Sequence, residues 1–265
     1  MGSLKTVRGF LLDMDGVLYR GMSVREGARE LIAHLNEHNI PYLCLTNNAT
    51  RTAAQYEQKL HQLGLPIPAS RVLGVAETTA RWLAARSPGA TVYVIGADGL
   101  RQELSRSGLR LVETEEATWV VVGLDMELTY GKLKVATRAI YRGAGFVGTN
   151  PDTTFPEADG LSPGCGAILA ALEAATNKRP IIIGKPEPII FREALARLSL
   201  PPEQVAIVGD RLDTDILGGQ RMGLTTILVL GGVTTPEELE TSPIRPDYVF
   251  ENLVDLLAAW QGGMA

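Results

Sequence analysis

The chain has 265 residues, 45% hydrophobic and 21% charged, which suits an ordinary globular protein near the size at which chains divide into two domains. A formal net charge of −5 gives no electrostatic footprint for a nucleic acid polymer or an anionic membrane. Met1 to Arg8 carries no apolar signal core, and no run approaches the roughly 18 apolar residues of a membrane span, so a cytoplasmic protein acting on small molecules is expected.

Apolar or β-branched runs at 10–12, 42–45, 71–73, 91–95, 119–122, 145–149, 180–183, 205–208, 226–230 and 248–250 alternate with helical stretches. That alternation predicts an α/β fold built on a doubly wound, mostly parallel sheet. Ala28, Leu31, Ile32 and Leu35 form one helical stripe. Thr52 with Gln55 reads as a capping box, and Thr235-Pro236-Glu237-Glu238 as an N-cap, a proline at the first helical position and an N3 acid. His34 and His38 are spaced for a zinc helix but lie off the stripe, so they are expected to face solvent. Cys44 sits inside an apolar run and Cys165 far from it, which predicts two unlinked thiols. Residues 78–179 carry strands and helices of their own but none of the charged signatures described next. They are expected to form an inserted module, with 1–77 and 180–265 as the core.

Four polar signatures follow four apolar strands. Asp13-Met14-Asp15-Gly16 follows 10–12, Thr46-Asn47-Asn48 follows 42–45, Gly184-Lys185-Pro186 follows 181–183, and Gly209-Asp210 follows 205–208. In an open α/β sheet, ligands bind at the carboxyl ends of the strands, so the four groups should converge on one crevice. A strand ending in Asp13-Met14-Asp15 is expected to aim Asp13 and Asp15 to the same side of the chain; two carboxylates so close repel each other, and a hard divalent cation with oxygen ligands relieves them.

This set suits chemistry on a phosphate. Asp13 can attack phosphorus and form an aspartyl phosphate, and Asp15 can protonate the leaving oxygen and then take a proton from water. Thr46 and the backbone amides around Asn47 can donate to phosphoryl oxygens, Lys185 can neutralise charge, and Asp210 can complete a metal site. An oxygen-only ligand set favours Mg²⁺, with Mn²⁺ as a substitute. Asn150 to Phe155 is a candidate specificity loop, with Asp152 able to hydrogen-bond a leaving group and Phe155 to pack on it; an ordinary turn around Pro151 and Pro156 is the alternative. Gly164-Cys165-Gly166 is read as the start of a helix over 167–175.

Together with Asp213-Thr214-Asp215-Ile216, these motifs resemble the haloacid dehalogenase superfamily in its phosphatase branch. The long insert, with Thr149-Asn150-Pro151-Asp152 and Pro163-Gly164-Cys165-Gly166 ahead of the lysine, resembles more narrowly the p-nitrophenyl and nucleotide phosphatase (NagD-like) group, which carries a large α/β cap of the C2 type. The resemblance implies Asp13 as nucleophile and metal ligand, and Asp15 as acid/base with its backbone carbonyl on the metal. It implies Asp210 as the second metal carboxylate and Asp215 as an outer-shell residue. Gly16, Thr46, Asn47, Asn48 and Lys185 are the candidate phosphate binders, and the substrate would be a small phosphorylated metabolite. Cap-to-cap homodimers occur in that group. A phosphomutase would use the same residues, and a receiver-type signalling module shares a phosphorylated Asp, Mg²⁺, a Thr and a Lys but is about half as long and has no insert.

Overall fold

A computed structural model describes residues 4–157 and 160–264. The chain forms two compact units, one of Met1–Thr46, Ala53–Leu73 and Lys185–Ala265, the other of Asn47–Thr52 and Gly74–Gly184.

The first unit is organised by a six-stranded sheet in the order Tyr248–Phe250, Thr225–Val229, Val205–Gly209, Gly9–Asp13, Tyr42–Thr46, Val72–Gly74. Pairing is parallel from Tyr248–Phe250 through to Tyr42–Thr46. Gly9–Asp13, Tyr42–Thr46, Val205–Gly209 and Thr225–Val229 are buried along their whole length. A strand covered on both faces has no polar side to alternate with, so these four read in the sequence as continuous apolar runs. From Gly9–Asp13 the sheet grows one way to Tyr42–Thr46, and from Val205–Gly209 it grows the other way to Thr225–Val229. The order reverses between these two central strands, and in open α/β sheets ligands bind beyond the carboxyl ends at such a switch point.

The helix Ala28–Glu37 buries the predicted stripe of Ala28, Leu31, Ile32 and Leu35. Trp260, on the helix Leu253–Met264, meets Phe10 edge to face at 4.8 Å. His34 is half-buried because its ring meets the edge of Trp260 at 5.9 Å and lies 4.1 Å from the exposed His38, so only His38 faces solvent as predicted. The Thr235 capping box is present, with its hydroxyl taking the Glu238 N–H and the Glu238 carboxylate taking the Thr235 N–H.

The second unit has a five-stranded sheet in the order Ile181–Ile182, Gly145–Gly148, Trp119–Val122, Thr91–Ile95, Arg110–Leu111, parallel throughout. Val120, Val122, Ala136, Ile140, Phe146 and Leu172 belong to its core, to which the helices Tyr130–Tyr141 and Cys165–Thr176 contribute. The latter helix begins two residues earlier than predicted, directly after Gly164. The segment expected as a specificity loop or an ordinary turn is partly strand, since Thr154–Glu157 pairs antiparallel with Gly160–Pro163. Cys44 and Cys165 are buried free thiols, and burial raises the pKa of both, which keeps them inert.

Candidate active site

Asp13 closes its strand with only 8% of its surface exposed. The alternation expected to aim Asp13 and Asp15 the same way stops there, and Asp15 is exposed beyond the strand end, bridged to Tyr19. Between them and Tyr19 the chain turns at Gly16, whose N–H donates to the Tyr19 carbonyl at 2.8 Å. Gly16 has φ +99°, and a Cβ there would lie 2.1 Å from Asp210 Oδ2, so both backbone and space require glycine.

Asp210 follows the central strand Val205–Gly209 and is 1% exposed. Its Oδ2 accepts the Val233 N–H at 2.8 Å, and its backbone carbonyl accepts the Thr234 N–H at 3.0 Å. Among the described residues its buried Oδ1 has no hydrogen-bond partner. Asp215 lies in the π-helical turn Leu212–Ile216, which sends it inward, where its Oδ2 accepts the Arg211 N–H at 3.3 Å. Asp213 points outward and pairs with the Arg211 guanidinium at 2.9 Å. Lys185 is buried and donates from Nζ to Asp13 Oδ1 and, at 2.7 Å, to Asp215 Oδ1.

Asp13, Asp210 and Asp215 thus offer carboxylate oxygens that all lie within 4.8 Å of one another. Burial pushes the Asp13 carboxyl well above its ordinary value; Lys185 pulls it back, while Asp215 and Asp210 push it further up. Burial, followed by the Asp215 charge, raises Asp210 to about 7. For Lys185 burial disfavours the ammonium, but Asp13 and Asp215 outweigh it and hold the group charged above the usual lysine range. One ammonium against three buried carboxylates leaves excess negative charge, and Asp210 Oδ1 has no proton donor to answer it. A hard divalent cation fits this donor set. Asp13 and Asp210 could hold it directly, whereas both Asp215 oxygens already accept hydrogen bonds from the protein.

Thr46 is buried at the end of its strand in the first unit, and the second unit starts at the next residue. There Asn47 is buried, with its side-chain amide donating to Asp152 Oδ2 at 3.3 Å and its carbonyl accepting from Asn150 Nδ2 at 2.7 Å. Asn48 is exposed, and its Oδ1 closes a local turn by accepting the Thr50 N–H and hydroxyl. Phe155 is half-buried in the hairpin, opposite Ser162. Sequence reasoning placed Asn150 in the candidate loop and in the Thr149-Asn150-Pro151-Asp152 motif but gave it no role of its own, since its partner lies 103 residues away.

A haloacid dehalogenase-like hydrolase family model matches residues 10–110, and a HAD-hydrolase-like model matches residues 182–256. An acid sugar phosphatase of Staphylococcus saprophyticus is 42% identical over 254 residues, covering 96% of this chain and 98% of that protein. Among solved structures, the p-nitrophenyl phosphatase from Archaeoglobus fulgidus is 37% identical with a TM-score of 0.91, covering 96% of this chain and 99% of the other. The 4-nitrophenylphosphatase from Thermotoga maritima is 36% identical with a TM-score of 0.93, covering 97% and 99%. With motifs, fold and whole-length similarity in agreement, the chain belongs to the haloacid dehalogenase-like hydrolases and, within them, to the NagD-like p-nitrophenyl phosphatase group of phosphoric monoester hydrolases.

Proposed function

We propose that the chain hydrolyses small phosphomonoesters, sugar phosphates among them, with Mg²⁺ as its cation and Asp13 as its nucleophile. The observation that carries this reading is the burial of Asp13 against Lys185, beside Asp210 with its unpartnered Oδ1. A buried carboxylate is expensive to ionise; Lys185 offsets part of that cost and a bound cation would offset more, favouring the anionic form of Asp13 that attacks. The attack forms the Asp13–phosphorus bond and breaks the bond from phosphorus to the leaving oxygen, which takes its proton from Asp15. Water then attacks phosphorus, Asp15 accepts its proton, and inorganic phosphate leaves as Asp13 is restored. Exposure of Asp15 suits a group that exchanges protons with leaving group and water.

Thr46 and the amides around Asn47 donate to the phosphoryl oxygens, with Gly16 and Asn48 lining the same loops. When bound, Mg²⁺ would draw charge off a phosphoryl oxygen. Residues 78–179 are the proposed cap, with Asp152 and Phe155 reading the leaving group. No helix among the described residues is long and apolar enough to cross a membrane. The test is turnover of p-nitrophenyl phosphate and a panel of sugar phosphates and nucleotides, with Mg²⁺ and after chelation, together with borohydride trapping of the acyl phosphate at Asp13. Many turnovers with release of inorganic phosphate are expected. Phosphoryl transfer to a second hydroxyl without release would make the enzyme a mutase instead.

A further inference from the structure

Asn150 is buried, and its side-chain bonds go to backbone groups and to the neighbouring Thr149 hydroxyl. Its Nδ2 donates to the Asn47 carbonyl at 2.7 Å, and its Oδ1 accepts the Asp152 N–H at 3.1 Å. Asp152 in turn accepts from the Asn47 side chain, so Asn47 is gripped at both its main chain and its amide. The preceding residue, Thr149, holds a second segment, because its carbonyl accepts the Gly184 N–H at 2.8 Å. A Cβ on Gly184 would stand 2.5 Å from Asn47 Oδ1 and 2.6 Å from the Thr149 oxygen. Asn47 and Gly184 are the covalent neighbours of Thr46 and Lys185.

A trans peptide is planar, with its C=O and N–H pointing in opposite directions. Fixing the Asn47 carbonyl therefore fixes the direction of the Asn48 N–H across the same plane. We propose that Asn150 is a positioning residue for phosphate binding: by holding the Asn47 carbonyl it aims the Asn48 N–H, one of the amides assigned above to the phosphoryl oxygens. This rests on the phosphatase reading of the same loop. A donor already aimed costs no reorganisation when phosphate arrives, and its loss weakens every phosphoryl ligand by one common factor, whatever the leaving group.

The test uses the full-length protein with Asn150→Ala and Asn150→Asp, the second keeping the shape and the acceptor for the Asp152 N–H while removing the donor to Asn47. Two quantities are read against the parent: hydrogen–deuterium exchange of residues 46–52, and the inhibition constant of inorganic phosphate with kcat/KM on p-nitrophenyl phosphate and one sugar phosphate. Faster exchange at 47–52 is expected, with the phosphate inhibition constant raised about tenfold or more and kcat/KM lowered by a similar factor on both substrates. An inhibition constant does not depend on the fraction of folded enzyme, so a merely structural loss leaves it unmoved. Unchanged exchange at 47–52, an inhibition constant within about twofold of the parent, unequal losses on the two substrates, or failure of both variants to fold would each overturn the proposal. A parent that never turns over would instead sink the phosphatase reading, while the exchange comparison still decides whether Asn150 orders the loop.

Discussion

At the carboxyl edge of the sheet containing Gly9–Asp13, three buried carboxylates cluster beside one ammonium, that of Lys185, which pairs with Asp13 and Asp215. At the carboxyl edge of the sheet containing Trp119–Val122, the buried carboxylate of Asp125 has its own lysine, Lys132, at 2.8 Å, and gives its other oxygen to the Glu127 N–H. The described pairings are parallel in both sheets, and both place polar residues just past strand ends. What separates them is charge balance: the Asp125–Lys132 pair is neutral as built, while the Asp13, Asp210 and Asp215 cluster has a surplus of buried negative charge that only a cation or protons can relieve. A shared architecture supplies places for chemistry, and the uncompensated charge is the physical ground for placing the proposed reaction at the first edge.

The strongest way to break this comparison is to neutralise the proposed nucleophile. Asp13→Asn should lower kcat by at least about a thousandfold with secondary structure retained, because an amide neither attacks phosphorus nor serves as an anionic ligand. Activity within about tenfold of the parent would remove Asp13 from the chemistry and leave the surplus charge without a catalytic purpose.

Replacing each lysine sharpens the contrast. Lys185→Met strands Asp13 and Asp215 without their ammonium and should cost about 3–5 kcal/mol of metal-free stability at neutral pH, along with most of the turnover. The Lys132 side chain is 32% exposed, so Lys132→Met should cost about 1 kcal/mol or less and leave kcat near the parent value. Denaturant midpoints and p-nitrophenyl phosphate assays on the two variants measure both halves. Equal destabilisation would mean that the two edges do not differ in the way their charges imply.

Protons test the same surplus. Asp210 is harder to ionise folded than unfolded, so between its ordinary 3.8 and its folded value of about 7 the native state binds more protons than the unfolded chain. The stability of the metal-free protein should therefore fall as pH rises across that window, and Asp13, also raised, adds to the same slope. A cation competes with those protons, so the rise in thermal midpoint on adding Mg²⁺ after chelation should be larger at pH 8 than at pH 5, by several degrees. A midpoint shift that is the same at both pH values, or absent, would count against an Asp13–Asp210 metal site.

How much of this could be read in advance follows from how local each signal is. The fully buried strands were legible as apolar runs, and the four motifs as polar residues just past them. The strands Tyr19–Arg20, Ser23–Val24 and Arg110–Leu111 were not, because two residues carry no period. Asp213 and Asp215 look equivalent in sequence, and the resemblance to known phosphatases favoured Asp215; physically, the π-helical turn is what sends Asp215 to Lys185 and leaves Asp213 to Arg211. Asp15 was placed by extending strand alternation one step past the strand's actual end. The links from Asn47 to Asn150 and Asp152 span more than a hundred residues, and no local pattern announces them.

The smallest effect expected lies in the second unit, and it separates reading a leaving group from holding a phosphate. Phe155 is half-buried on the hairpin strand Thr154–Glu157, and its ring has area to offer an apolar or aromatic leaving group. One aromatic contact is worth about 0.5–1.5 kcal/mol, so Phe155→Ala should lower kcat/KM on p-nitrophenyl phosphate about two- to tenfold relative to acetyl phosphate, whose leaving group is too small to meet the ring. The signature is a changed ranking of phosphomonoesters with an unchanged inhibition constant for inorganic phosphate, the opposite of the uniform loss expected at Asn150. A proportional loss on every substrate would make Phe155 a packing residue of the hairpin, and the leaving group would then have to be read from another part of the 78–179 insert.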